Sequence, residues 1–184
     1  MERISPGFAL SLAWLVWKGS GAMVLSTLAA CTLHELAHLA AALALGIPVK
    51  GFALTATGPR LTLLRRCPLW QEVTVLLAGP AVNLLLSPLL CRSPALRLTG
   101  AMGLLLGCFN LLPLPVLDGG QALQLLLESL FPGWGGWFAG QLMAALCCIL
   151  LTAGGLFLAL RGNPALLALS LWLDLSCASC RDVV

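Results

Sequence analysis

Six apolar runs, separated by short polar or glycine- and proline-rich breaks, make up most of the chain. A membrane-spanning helix needs about 20 apolar residues. The second to fifth runs reach or approach that length, whereas the first and last are shorter. The runs cover residues 8–17, 21–46, 73–91, 98–127, 136–160 and 165–177. The pattern predicts an all-α polytopic membrane protein with about six transmembrane helices.

The first run, 8–17, has a second interpretation. It follows Arg3 and has the length of a signal-peptide apolar region. Because no small-x-small cleavage site follows before the next run begins, a short first membrane helix is favoured.

Composition makes the bilayer the main solvent. The hydrophobic fraction is 60%, the charged fraction 9% and the mean hydropathy +1.00, whereas a soluble domain has about 45–50% apolar and about 25% charged residues. The net charge of +3 is small and scattered among the breaks. So small and scattered a charge does not suggest a nucleic-acid partner, and none is expected.

One segment, 51–64, is rich in threonine and leucine and interrupts this pattern. Residues 52–57 and 61–64 flank the pair Gly58-Pro59. Alternation around a turn-forming pair predicts a small β-hairpin at the membrane edge, with Gly58-Pro59 as the turn. An irregular amphipathic loop is the alternative.

The eight cysteines do not indicate a secreted disulfide scaffold. Four that lie well inside apolar runs are interpreted as small hydrophobic residues, namely Cys31, Cys108, Cys147 and Cys148. Cys177 and Cys180 have CxxC spacing, which suits metal binding or redox cycling. Because no second pair exists, a structural role is favoured for them.

The clearest chemical motif is His34-Glu35-Leu36-Ala37-His38, an HExxH sequence in a helical run. Residues four apart differ by about 40° around a helix, so both imidazoles can reach one ion. Glu35 is then placed to take a proton from a water molecule at the metal.

Two facts raise the weight of this short motif. His34 and His38 are the only histidines of the chain, and they lie within a membrane run. Ionisable groups there cost about 2.5–3.5 kcal/mol each and usually serve a function. A buried polar cluster that ties helices together is the alternative.

Asp118 is the candidate third ligand, because a catalytic zinc takes three protein ligands and leaves one position for water. The segment from Asn110 to Gly120 interrupts an apolar run with Pro113 and Pro115. Unwound backbone at membrane depth is tolerated where it is buried or lines a wet cavity. Capping of the helix that follows is the alternative role for Asp118.

Asn83 is a further polar interruption, in the sequence Ala78-Gly79-Pro80-Ala81-Val82-Asn83. An asparagine in an apolar run needs hydrogen-bond partners. Its amide could bind substrate backbone or a developing oxyanion, or it could hold two helices together. The residues alone leave both interpretations open.

Together, the three motifs carry a family resemblance. HELAH at 34–38, AGPAVN at 78–83 and NLLPLPVLDGG at 110–120 follow one another on successive membrane runs. Over roughly residues 21–127 the chain resembles the site-2 protease family of intramembrane zinc metalloproteases.

The resemblance implies a role for each motif residue. It implies a Zn²⁺ cofactor, a catalytic base, three metal ligands and a substrate-binding contribution from asparagine. The residues concerned are His34, His38 and Asp118 for the metal, Glu35 as the base, and Asn83 and Asn110 for the substrate.

Within that family the chain is similar to the six-span branch that includes the sporulation protease acting on a mother-cell sigma factor. This implies regulated cleavage of a membrane-associated protein, such as a sigma-factor precursor, and an inhibitory membrane partner. The expected location is the bacterial cytoplasmic membrane or the membrane around the forespore. Members often carry a C-terminal regulatory domain, whereas only 178–184 follow the last run here. No PDZ insertion is present.

We therefore expect one intramembrane metalloprotease domain over 1–184, with accessory helices outside the core at 21–127. These helices are 8–17, 136–160 and 165–177. Two rival functions are a membrane metal transporter and an inactive scaffold that binds partner helices. A transporter needs several polar sites along a path, whereas the candidate ligands here form one cluster.

Overall fold

The computed structural model describes residues 20–47, 49–55, 58–63 and 67–181, with the backbone alone in the two strands and at 178–181. The first apolar run, 8–17, lies outside these residues. The elements are α1 (Gly21–Ala44), β1 (Val49–Thr55), β2 (Gly58–Leu63), α2 (Leu69–Leu90), α3 (Arg97–Asn110), α4 (Asp118–Leu130), α5 (Trp134–Leu160) and α6 (Ala165–Arg181).

Three of the described helices are long and apolar enough to cross a membrane. Helices α1, α2 and α5 contain 24, 22 and 27 residues. At 1.5 Å per residue they reach about 36, 33 and 40 Å, which exceeds the roughly 30 Å of bilayer hydrocarbon. Helix α6 is apolar but shorter. The protein is an integral membrane protein, while the count of six spans stays a prediction.

The chain divides into two compact units, the first of which ends at Asn110. In the described residues, the first contains α1, the two strands, α2 and α3, and the second contains α4, α5 and α6. The single domain over 1–184 stays a prediction.

The fourth apolar run, 98–127, is two helices rather than one. Helix α3 ends at Asn110 and α4 begins at Asp118. Pro113 and Pro115 between them lack backbone N–H donors and cannot continue a helix. With 14 residues, α3 alone reaches only about 21 Å.

Local signals fix both ends of α1. The hydroxyl of Ser20 accepts a hydrogen bond from the backbone N–H of Met23 at 3.3 Å, which satisfies a donor of the first turn. At the other end, Gly46 adopts a positive φ of 66°. Its N–H donates to Leu43 O, and the N–H of Ile47 donates to Ala42 O, which is a Schellman motif.

The end of α1 packs against the beginning of α2. Ile47 is 4% exposed and belongs to a buried apolar cluster with Ala42 and Val75. Close by, the backbone N–H of Cys67 donates to Glu72 Oε1 at 3.2 Å. This bond satisfies a backbone donor just before α2 begins.

The strands β1 and β2 pair antiparallel, and Thr55 faces Gly58 while Leu54 faces Pro59. Gly58 and Pro59 therefore lie in β2 and do not form the turn, which corrects the sequence expectation. Proline is tolerated near the beginning of a strand because it lacks only the N–H donor. A location of these strands at the membrane edge stays a prediction.

Helix α3 packs on α2 through a glycine face formed by Gly100, Gly103 and Gly107, all of which are buried. A Cβ at Gly100 would lie 2.8 Å from the backbone oxygen of Ser87. Small residues let two backbones approach closely, which is how helices associate in lipid. The hydroxyl of Thr99 also donates to Ser26 Oγ at 3.3 Å and ties α3 to α1.

In the second unit, a non-helical segment from Leu111 to Leu117 packs against the beginning of α4. Leu114 is completely buried. A Cβ at Gly119 would lie 2.6 Å from Leu111 O, and a Cβ at Gly120 would overlap the backbone of Leu114. The two glycines after Asp118 are therefore needed for this close approach.

Helix α5 begins earlier than expected, at Trp134, after Gly133 with a φ of 85°. Trp134 therefore lies in the first turn of α5, two residues before the apolar run 136–160 begins. Helix α6 packs along α5, where the hydroxyl of Thr152 donates to Asp174 Oδ2 at 3.1 Å. An acidic side chain in an apolar helix thus has a partner on its neighbour.

Candidate metal centre

The two histidines of the HExxH motif lie side by side on the buried face of α1. His34 is 4% exposed and His38 is 6% exposed. Their Nε2 atoms are 3.1 Å apart, and the rings meet edge to face with centroids 4.7 Å apart. The helical spacing predicted from the sequence therefore brings two nitrogen ligands together.

A backbone carbonyl of helix α2 contacts the imidazole of His38. The Nδ1 of His38 lies 2.6 Å from the backbone oxygen of Val75. A carbonyl only accepts, so Nδ1–H donates, and Nε2 is the unprotonated nitrogen of the neutral ring. Metal-binding histidines commonly donate their other ring N–H to a backbone carbonyl or a carboxylate.

Asn83 holds His34 in a similar way. Its Nδ2 lies 3.2 Å from His34 Nδ1, and Asn83 is itself only 3% exposed. The two ends of an amide are nearly isosteric, so a half turn presents Oδ1 to a protonated Nδ1. The contact therefore suits a His34 whose Nε2 lone pair points to a metal.

This pair of nitrogens fits a zinc ion. Zinc binds imidazole nitrogen at about 2.0–2.1 Å in tetrahedral geometry, which separates two such ligands by about 3.3 Å. The observed separation of Nε2 atoms is 3.1 Å. Little movement of His34 or His38 would be needed to bind the ion.

Glu35 follows His34 in α1 and is half-buried. It is less enclosed than the two imidazoles. A general base must be within hydrogen-bond reach of the water it activates, and the role of Glu35 as that base stays a prediction.

Asp118 is the first residue of α4, in the second unit, and is half-buried. The N-cap residue is Leu117, so Asp118 does not occupy the capping position considered from the sequence. The positive end of the helix dipole favours a carboxylate in this first turn. Its role as third ligand stays a prediction.

The structure places the two asparagines differently. Asn83 contacts the far nitrogen of an imidazole, so it can orient that ring. Asn110 lies at the end of α3, where its Nδ2 donates to Leu106 O at 3.1 Å. This bond satisfies a carbonyl of its own helix. Substrate binding by either residue stays a prediction.

Two participants escaped the sequence reasoning. The Val75 carbonyl carries no side-chain signature, so no pattern could have identified it. Gly79 approaches both Nε2 atoms so closely that an added Cβ would overlap them. It lies four residues before Asn83, hence on the same helical face, but this spacing alone gives it no role.

The CxxC pair lies near the end of α6. Cys177 is buried, at 8% exposed, in keeping with a packing role. The side chain of Cys180 lies outside the described residues, so the CxxC hypotheses stay open.

Comparisons with known proteins agree on one family. The family model described as Peptidase family M50 matches residues 92–135. A Mycobacterium tuberculosis protein named zinc metalloprotease Rip3, in two strains, is 32% identical over 174 residues, covering 82% of this chain and 44% of that protein. A Synechocystis protein named zinc metalloprotease sll0528 is 39% identical over 103 residues, covering 50% of this chain and 27% of that protein.

The chain therefore spans less than half the length of these relatives. Among solved structures, the site-2 protease from Methanocaldococcus jannaschii shares the fold with a TM-score of 0.65 at 21% identity, covering 94% of this chain and 85% of that one. The family model, the relatives and the three motifs together show that the chain is similar to the site-2 proteases of Peptidase family M50.

Proposed function

We propose that this chain is an intramembrane zinc metalloendopeptidase that cleaves a membrane-associated protein within the bilayer. The observation that carries the proposal is the pair of buried imidazoles on α1, whose Nε2 atoms lie 3.1 Å apart in a helix long enough to span. The names of the relatives, both zinc metalloproteases, support the same metal and activity.

His34, His38 and Asp118 hold the zinc ion. Two neutral imidazoles and one carboxylate form a donor set used by catalytic zinc, which leaves a position open for water. A zinc ion bound there supplies Lewis acidity that polarises the scissile carbonyl and acidifies a water molecule.

Glu35 is the general base and later the general acid. Its half-buried carboxylate takes a proton from the attacking water and delivers it to the leaving amine. Such proton transfer contributes about 10²–10⁴-fold to the rate. Glu35 is adjacent to His34 in the sequence, but it is not a ligand because His34, His38 and Asp118 already provide three.

Asn83 is a positioning residue, supported by its 3.2 Å contact with His34 Nδ1. Through that contact it fixes the ring angle of one zinc ligand. Its amide also remains our candidate, with Asn110, for binding the substrate backbone.

The substrate is presented as an extended segment. A membrane helix hides its peptide bonds in intrahelical hydrogen bonds, so it must unwind before attack. We propose that β1 or β2 at the membrane edge takes up the unwound segment as an added strand. The two-stranded sheet of the described residues leaves one ladder edge on each strand for this purpose.

The finer features come from the sporulation-like resemblance. They are six membrane spans, a sigma-factor precursor with a membrane-associated pro-segment as substrate, and an inhibitory membrane partner. The location is then the bacterial cytoplasmic membrane or the membrane around the forespore. The motif spacing 110–120 supports these proposals.

Co-expression with a tagged sigma-factor precursor tests the activity. We compare wild type with Glu35→Gln at matched protein levels, and we measure zinc in each purified protein. Cleavage by wild type alone, with zinc in both proteins, is the expected result.

Other outcomes separate the rival functions. Equal cleavage by Glu35→Gln would show that Glu35 is not the base. A wild type that binds zinc, cleaves neither this precursor nor other single-span proteins, and moves zinc into vesicles would instead be a transporter. Binding of helices without cleavage or transport would identify an inactive scaffold.

A further inference from the structure

We propose that Gly79 is what makes the metal position possible, because its missing side chain keeps open the space beside both Nε2 atoms. This inference rests on the proposed zinc site and deepens it by naming the residue of α2 that borders the ion. Neither motif spacing nor the donor set alone assigns a role to this glycine.

The geometry is close on both sides. A Cβ at Gly79 would lie 2.7 Å from His34 Nε2 and would overlap His38 Nε2. Real Cβ atoms essentially never approach other heavy atoms so closely. An ion bound to both nitrogens at about 2.0–2.1 Å would compete with that carbon for the same space.

The imidazoles cannot easily turn aside. His38 is held by Val75 O at 2.6 Å and His34 by Asn83 at 3.2 Å, and both contacts come from the same helix as Gly79. A ring that rotated away from a new methyl group would lose its hydrogen bond and would move its Nε2 out of the metal position. One added carbon therefore acts against both ligands at once.

Helix propensity argues in the opposite direction. Within a helix, alanine is more favourable than glycine by about 0.8–1.0 kcal/mol. Because Pro80 follows Gly79 in α2 and disfavours a Cβ on the helical residue before it, the loss of zinc in Gly79→Ala, and not a loss of stability alone, reports crowding of the imidazoles.

The test measures zinc per chain and thermal stability in the purified full chain, with no reliance on proteolysis. Wild type should hold about one zinc per chain and Gly79→Ala less than about a tenth of that. Two glycine controls accompany it. The Cβ added by Gly154→Ala would make only an ordinary contact, 3.9 Å from Leu166. The Cβ added by Gly100→Ala would crowd Ser87 and Cys91, and neither histidine is among its nearest atoms.

Both controls should keep their zinc, although Gly100→Ala should lower the thermal midpoint. Zinc lost equally from Gly100→Ala would mean that general disruption of packing is responsible, and the inference would be wrong. Zinc retained by Gly79→Ala, when wild type binds it, also overturns the inference but leaves the proposed function standing. A wild type that binds no zinc overturns the proposed metal site itself.

A double-variant cycle keeps the test informative if Gly79→Ala accumulates poorly. In metal-free protein, His38→Ala removes the imidazole that the new Cβ at position 79 would overlap. The thermal midpoint of the double variant should therefore be close to that of His38→Ala alone. Additive losses of the thermal midpoint would show that the crowding does not involve this imidazole.

Discussion

His38 donates its Nδ1 hydrogen to the backbone oxygen of Val75 across 2.6 Å. The bond fixes the ring of one candidate zinc ligand and links α1 to α2. Because the acceptor belongs to the main chain, no side-chain substitution at position 75 can remove it. The equivalent contact at His34 comes from a side chain, Asn83, and that one can be tested.

Asn83→Ala should lower zinc affinity by about 10–100-fold, the usual cost of losing an outer hydrogen-bond partner of a ligand. Asn83→Asp should largely restore it, because a carboxylate accepts from the His34 Nδ1–H. Competition with a zinc chelator measures both values. Ser87→Ala is the matched control, since Ser87 is equally buried on α2 and bonds only a backbone oxygen. Equal affinity in wild type and Asn83→Ala would rule out the positioning role.

Asp118→Asn should cost more zinc affinity than the roughly 10–100-fold that an outer partner contributes, because an amide replaces an anionic ligand. The comparison is Asp174→Asn, which changes another acidic residue within an apolar helix. That variant loses charge at the Thr152 contact and should keep its zinc while unfolding at a lower temperature. Zinc affinities in the reverse order would remove Asp118 from the ligand set.

Gly46→Ala should destabilise the protein by about 1–2 kcal/mol, because the Schellman motif at the end of α1 requires a left-handed residue. The φ of Gly46 is 66°. Thermal unfolding in detergent measures the change. Gly21→Ala serves as the control, since nothing lies within 4 Å of its added Cβ. Similar midpoints for the two variants would contradict the role of the Gly46 conformation.

Proline substitutions along 52–55 and 61–63 should reduce cleavage at every second position. Backbone N–H groups of a strand point alternately to its two sides, so a proline removes a donor from the open edge only at alternate residues. Zinc content provides the control, because the strands are not expected to hold the metal. Uniform cleavage across the series would exclude strand addition as the way the substrate is held.

Much of the site could be predicted because its signals are local. The spacing of His34 and His38 fixes their common face, and Pro113 and Pro115 require the break that precedes Asp118. The same two prolines divide the fourth apolar run into α3 and α4. The sequence interpretation counted that run as one span because its composition is apolar throughout. The turn predicted at Gly58-Pro59 was wrong, since a glycine-proline pair is compatible with both a turn and the beginning of a strand.

The remaining features depend on tertiary approach. Val75 contributes only its main chain, and Gly79 acts through an atom that it lacks. A pattern of apolar and polar residues shows neither the bond to the Val75 carbonyl nor the close approach of Gly79 to the imidazoles. Both depend on how closely α2 approaches α1. The contacts of Asn83 and Asn110 diverge for the same reason, although both are asparagines in apolar helices.

The glycine face of α3 determines how this protein should respond to its solvent. Water exclusion gives helices no reason to associate once lipid surrounds them, so the contact with α2 depends on fit between two backbones. Fit of that kind depends on contacts between the two backbones and not on the charge of the surrounding lipids. The first unit should therefore survive a change of detergent or bilayer that would separate helices joined through long side chains.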